Sequence, residues 1–210
     1  VPLPKPDDAK LLLVEGADDE HVICHLYQRA GNAVDFSVNA KGGVQEVIQS
    51  IRNEALVSGR ISLGVVVDAN DKLEARWQEI RNQFISVGIR LSPHPTADGT
   101  VVKPELARSG LPKVGVWLMP DNSSDGELED FLSGLVPPDD PIWPLARTYI
   151  YDAFEQLVPR QPKRSKAEVH AWLAGKNSGL PMGLSVRMGL FDDGAPTAQA
   201  FLVWLREVFG

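Results

Sequence analysis

Three short, continuous apolar runs constrain this chain most, because each closes on an acidic residue and leads into a helical pattern. Leu11-Leu12-Leu13-Val14 ends at Glu15-Gly16, and Leu63-Gly64-Val65-Val66-Val67 ends at Asp68-Ala69-Asn70-Asp71. Val114-Gly115-Val116-Trp117-Leu118-Met119 ends at Pro120-Asp121-Asn122. Apolar runs of this length without polar alternation suit strands buried on both faces, as in a parallel sheet. Between them, Asp18 and Asp19 open a helix to about residue 30 that Gly31 closes, and residues 34–38 alternate as a second strand. Lys41-Gly42-Gly43 turns into a helix carrying Val44, Val47, Ile48 and Ile51; Leu73, Trp77, Ile80, Phe84 and Ile85 mark another, ending near Gly88. The alternation predicts an α/β, Rossmann-like fold: a central, mostly parallel sheet of about four strands with helices on both faces.

The Pro- and Gly-rich residues 89–112 read as a loop with a short hairpin. A fourth helix is expected to begin near Ser124 or Asp125 and to contain Leu128, Phe131 and Leu132. Pro137-Pro138 then separates a helical carboxyl-terminal extension, with helices expected over 143–158, 166–174 and 198–209. A length of 210 residues suits one domain. Its expected parts are an extended arm (1–9), an α/β core (10–136) and a helical layer of the same domain (137–210).

A net charge of −7 argues against a protein that coats nucleic acid by bulk electrostatics. It does not argue against a nuclease, since bound divalent cations reverse the local field of an acidic site. Cys24 is the single cysteine, which leaves no intramolecular disulfide, and its apolar neighbours make it a buried small hydrophobe. No apolar run approaches the ~20 residues needed to span a bilayer, and the proline-rich start lacks the apolar stretch of a signal peptide. A cytoplasmic protein with no membrane partner is expected.

Ligands of parallel α/β sheets bind outside the carboxyl ends of the strands. Glu15, Asp68 and Asp121 are expected there, one from each apolar strand, and their oxygens suit a hard cation. Asp19 follows Glu15 by four residues and can turn back to the same space; Asn70 follows Asp68 by two, the spacing that keeps side chains on one side of a strand. Glu127, Glu129 and Asp130 on the fourth helix supply at least one carboxylate able to overhang the strand ends. Any one of these acids alone is more commonly a cap or turn former; Glu15, a poor cap at the end of an apolar strand, is the informative member. His21 and His25 have zinc-ligand spacing without a third ligand and read as an ordinary helix face. The tryptophans read as packing.

The segment Leu12-Leu13-Val14-Glu15-Gly16-Ala17-Asp18-Asp19, with Val65-Val66-Val67-Asp68-Ala69-Asn70 about fifty residues later, resembles the Toprim fold, which places a glutamate after its first strand and an Asp-x-Asp pair after a later one. The acid four residues after the glutamate looks most like the overcoming-lysogenization-defect (OLD) nucleases. The chain is also similar to a small stand-alone bacterial family of unknown function. That likeness rests on residues 114–122, on Leu128-Glu129-Asp130-Phe131-Leu132, and on Lys166-Ala167 ahead of Trp172-Leu173-Ala174.

The Toprim resemblance implies hydrolysis of a phosphodiester in DNA or RNA. It implies Mg2+ or Mn2+ held by Glu15, Asp19, Asp68 and Glu129, with Asn70 as a neutral ligand; Asp121 and Glu127 are further metal candidates from their places after the third apolar run and on the fourth helix. Glu15, Asp68 and Lys166 are the implied catalytic groups. The small basic cluster Lys163-Arg164-Ser165-Lys166 is suited to a backbone phosphate, and a partner protein such as an ATPase is implied. Asn70 stands where the family has its second Asp, which removes one charge. The rival reading is a non-catalytic Toprim-like protein that binds a metal, a nucleotide or another protein.

Overall fold

The apolar runs form neighbouring parallel strands at the centre of an α/β, Rossmann-like fold. The structure is a computed structural model that describes residues 9–103, 110–156, 163–176 and 179–210. Five strands run among them: β1 (Lys10–Val14), β2 (Ser37–Ala40), β3 (Ser62–Asp68), β4 (Thr100–Val102) and β5 (Lys113–Met119). Their order is β2-β1-β3-β5-β4, with β4 antiparallel to β5 and every other pair parallel. The fifth strand, β4, is the short edge strand that emerges from the region expected to hold a hairpin. The expected arm lies, apart from Ala9, outside the described residues.

Eight helices follow from the same residues: α1 (Ala17–Arg29), α2 (Val44–Ala55), α3 (Leu73–Ser86), α4 (Leu128–Ser133), α5 (Trp143–Gln156), α6 (Arg164–Lys176), α7 (Met182–Arg187) and α8 (Pro196–Phe209). Successive side chains of a strand point to opposite faces, and the core divides accordingly. Leu11, Leu13, Val65, Val67, Val114 and Val116 pack against α2 and α3. Leu12, Val14, Val66, Trp117 and Met119 pack against α1, α8 and the other carboxyl-terminal helices. Trp77, Trp117, Trp172 and Trp204 are buried, in keeping with a packing role. Cys24 is buried in the same core, and burial pushes its thiol up to about 12. Among the described residues no helix is long and apolar enough to cross a membrane.

Three expectations need correction. The second strand occupies Ser37–Ala40 rather than residues 34–38. The apolar alternation there reflects burial of Val34 and Phe36, with Phe36 stacked on Phe209 at 4.2 Å, and not ladder pairing. Helix α4 begins at Leu128, because the residues before it build a loop: the Leu73 amide donates to Asp125 Oδ1 (2.9 Å) and the Asn70 amide to the Gly126 carbonyl (2.7 Å). Helix α7, unexpected from the sequence, packs on α1, where a Cβ on Gly183 would meet the His21 Cβ at 2.4 Å.

Helix α8 lies on the sheet because two register-paired glycines, Gly64 and Gly115, leave a flat patch. A Cβ on Gly115 would come within 2.2 Å of Val208 Cγ2, and one on Gly64 within 2.8 Å of both Phe209 Cζ and Leu12 Cδ1. Overpacking a closed core costs about 1–3 kcal/mol. Gly115→Val is therefore expected to lower the denaturation free energy by about 2 kcal/mol or more, measured by urea unfolding; an unchanged midpoint would contradict this seating of α8.

Candidate functional site

The parallel register of β1 and β3 brings their carboxyl ends side by side, and the carboxylate that follows β1 reaches the backbone at the end of β3. The Asp68 amide donates to Glu15 Oε1 at 2.8 Å. Asp68 in turn reaches across to α4, where the Leu128 amide donates to its Oδ1 at 2.9 Å. Asp19, in the first turn of α1, folds back so that the Gly16 amide donates to its Oδ2 at 3.0 Å. Glu129, in the first turn of α4, is buried. Two strands and two helix starts thus contribute one carboxylate each to a single end of the sheet, and helix amino termini favour negative charge there.

Asp19 and Asp68 feel both their burial and the carboxylates around them. Burial, then the charges of Glu15, Asp19 and Glu129, push Asp68 up to about 8, against the bond from Leu128. Burial, then Glu15 and Glu129, push Asp19 up to about 7, against the Gly16 amide. Glu15 is raised by burial, with the Asp68 amide, Arg76 and Lys163 pulling the other way. Arg76 is the member that sequence reading missed: it is nearly buried on α3, and its Nη1 donates to Glu79 Oε2 at 2.7 Å. Its place in a helical pattern gave no sign of this.

Two lysines face the carboxylates from the start of α6. Lys166 pairs with Glu129 at 2.7 Å, and this pair raises the lysine's affinity for its proton, aided by Asp18 and Asp68. Lys163 pairs with Glu127 and donates to Asn70 Oδ1 at 2.5 Å. Asn70 has φ 58°, a left-handed backbone, so the two-residue spacing from Asp68 does not carry its side chain along the strand's repeat. Asn70 and Glu127 therefore form a second group, joined by Lys163.

Asp121 is turned into its own loop, where the amides of Ser123 (3.0 Å) and Ser124 (2.8 Å) donate to its Oδ1. Asn122, at φ 61°, holds that loop by accepting the Leu118 amide at 2.7 Å. Asp130 accepts the Glu127 amide at 2.8 Å, within the first turn of α4. His21 and His25 stack at 6.1 Å, and His25 Nδ1 lies 2.9 Å from the Gly183 carbonyl oxygen. Among the described residues no three His, Cys, Asp or Glu side chains are arranged as a ready-made metal-binding group. The carboxylate oxygens of Glu15, Asp19, Asp68 and Glu129 are hard donors, the type that Mg2+ and Mn2+ take.

Burial, and after it repulsion, makes the fold sensitive to pH. Asp19 and Asp68 hold protons more tightly folded than unfolded, so their contribution to stability is complete below about pH 4, where an unfolded Asp ionises. It is lost as pH rises through about 7 and about 8. Asp68→Asn keeps an acceptor for the Leu128 amide and removes one charge. In chelator-treated buffer at pH 8 it is expected to raise stability by about 1 kcal/mol or more, roughly 3 °C in thermal midpoint, and to flatten the pH profile. A midpoint lower than wild type at pH 8 would contradict the repulsion.

No curated protein and no solved structure matches the chain. One family matches it over residues 9–210, which takes in every element that builds the site. The chain belongs to the family described as protein of unknown function (DUF3226).

Proposed function

We propose that this protein hydrolyses phosphodiester bonds in DNA or RNA with the help of Mg2+ or Mn2+, bound at the carboxyl ends of β1 and β3. The observation that carries the reading is the gathering of Glu15, Asp19, Asp68 and Glu129 at one end of the sheet, Asp19 and Glu129 buried and Glu15 and Asp68 half-buried, opposite the ammonium groups of α6. Carboxylates gathered this way destabilise an empty site, and a cation is the simplest relief. The likeness of residues 12–19 and 65–70 to the Toprim fold and the OLD-type nucleases supports the same chemistry.

In this reading Glu15, Asp19, Asp68 and Glu129 hold the cation, which would polarise the phosphate and activate water. Glu15 and Asp68 keep one oxygen each on a backbone amide, which fixes their orientation before any ligand arrives. Lys166 neutralises Glu129 in the resting site and is within reach to offset charge on a bound phosphoryl group. Arg76 holds Glu15 towards its ionised form from the sheet's other side, next to α3. A partner ATPase is the interaction that the OLD-type likeness implies.

One observation favours a second, non-catalytic reading, in which the domain binds a cation or nucleotide for regulation: Asn70 brings no charge and is already tied to Lys163. The two readings part on activity. Incubation with supercoiled, linear and single-stranded nucleic acid in Mg2+ or Mn2+ is expected to give cleavage that chelator stops. Glu15→Gln is expected to lower it by at least about 100-fold, as loss of a group acting in the transition state does. Cation binding without cleavage of any substrate would leave the regulatory reading in place of the enzymatic one.

A further inference from the structure

Four cations stand over three buried acids along α5 and α6. Lys163 covers Glu127, Lys166 covers Glu129, and Arg147 and Arg164 share Glu168. Each acid is buried, while each cation is about half exposed. Pairs built this way are one-sided: a ligand arriving from water meets the ammonium and guanidinium groups first. The first turn of α6 carries no acid, so its dipole adds to the same sign. Exposed acids lie at the margins, Asp18 on α1 near Lys166 and Glu155 one turn beyond Tyr151 on α5. Tyr151 completes the surface: it is 52% exposed, and the Arg164 guanidinium lies 5.2 Å from its ring centroid. Ring and guanidinium plane are both surfaces on which a nucleobase stacks. Lys163 and Lys166 carry the surface to the carboxylates, since the charge of the first reaches Glu15 and the second feels Asp68.

We infer that the α5–α6 surface binds single-stranded nucleic acid, with backbone phosphates on Arg147, Lys163 and Arg164 and an unpaired base stacked on Tyr151. This rests on the phosphodiester reading above for the strand's destination and names the form of its substrate, while the binding itself requires no divalent cation. A duplex keeps its bases stacked inside and offers the ring none; an acidic peptide engages the cations and leaves the ring unused. In a chain of net charge −7, a polyanion is held by such a local surface and not by the field of the whole molecule.

Fluorescence anisotropy of a labelled oligothymidylate in chelator-treated buffer tests this on the full chain, against the same strand in duplex form and with polyglutamate as competitor. The single strand is expected to bind at least about tenfold more tightly than the duplex, and Tyr151→Ala to weaken it roughly tenfold, the worth of one stacked base. Log affinity is expected to fall with log salt concentration with a slope of about −2, as three phosphate contacts on a single strand require. Tyr151→Phe keeps the ring and is expected to bind as the wild type does. Tyr149→Ala is the control, because Tyr149 is exposed on the same helix but two residues turn it about 200° away from Tyr151; its binding is expected to be unchanged. Circular dichroism checks that each variant is folded. Equal binding of single strand and duplex, a Tyr151→Ala protein as tight as wild type, or displacement by polyglutamate as readily as by unlabelled strand would overturn the inference. Binding that depends on Tyr151, with no cleavage in Mn2+, would overturn the phosphodiester reading and leave this surface standing; cleavage without such binding would do the reverse.

Discussion

The hydrogen bond from the Asp68 amide to the Glu15 carboxylate ties the architecture to the site. It exists because β1 and β3 are parallel neighbours in a register that pairs Leu13 with Val65, so that Glu15 follows the end of β1 beside the last residues of β3. A glutamate at the end of a fully apolar strand is thereby held over the next strand's end, and not released to solvent. Asp68 extends to the first turn of α4, where its Oδ1 accepts the Leu128 amide.

The cluster stores repulsion that the rest of the domain must outweigh. Two helix amino termini, the buried guanidinium of Arg76 and the lysines of α6 each relieve part of it, from different directions. The core that outweighs it is dense on both faces of the sheet. On one face, α8 lies close against β3 and β5 through Gly64 and Gly115, and Trp117, Phe201 and Trp204 pack edge and face around it. A rigid sheet is what allows carboxylates to be held together against their charge.

The strand-end carboxylates of β1 and β3 were legible in the sequence because fully buried parallel strands leave a distinct mark, an apolar run with an abrupt polar stop. The edge strand β4 left no such mark, being three residues long in a Pro- and Gly-rich stretch and paired only to β5. Asp121 has the same sequence setting as Asp68, yet the left-handed turn at Asn122 sends it into its own loop. Asn70 departs from the expected alternation for the same conformational reason. Lys163 meets Asn70 across 93 positions of sequence, a pairing that local pattern does not encode. The seating of α8 was hidden because two glycines within apolar strands read as strand residues, and their meaning lies in what packs above them.

The proposed cation site lies between Glu15, Asp19, Asp68 and Glu129. Crystals grown with Mn2+ and measured at an X-ray energy where manganese scatters anomalously test it most directly. The account predicts an anomalous difference peak within bonding distance of Glu15 and Asp68 oxygens. Absence of a peak there, or a peak held only by Asp121 or by surface carboxylates, would contradict it.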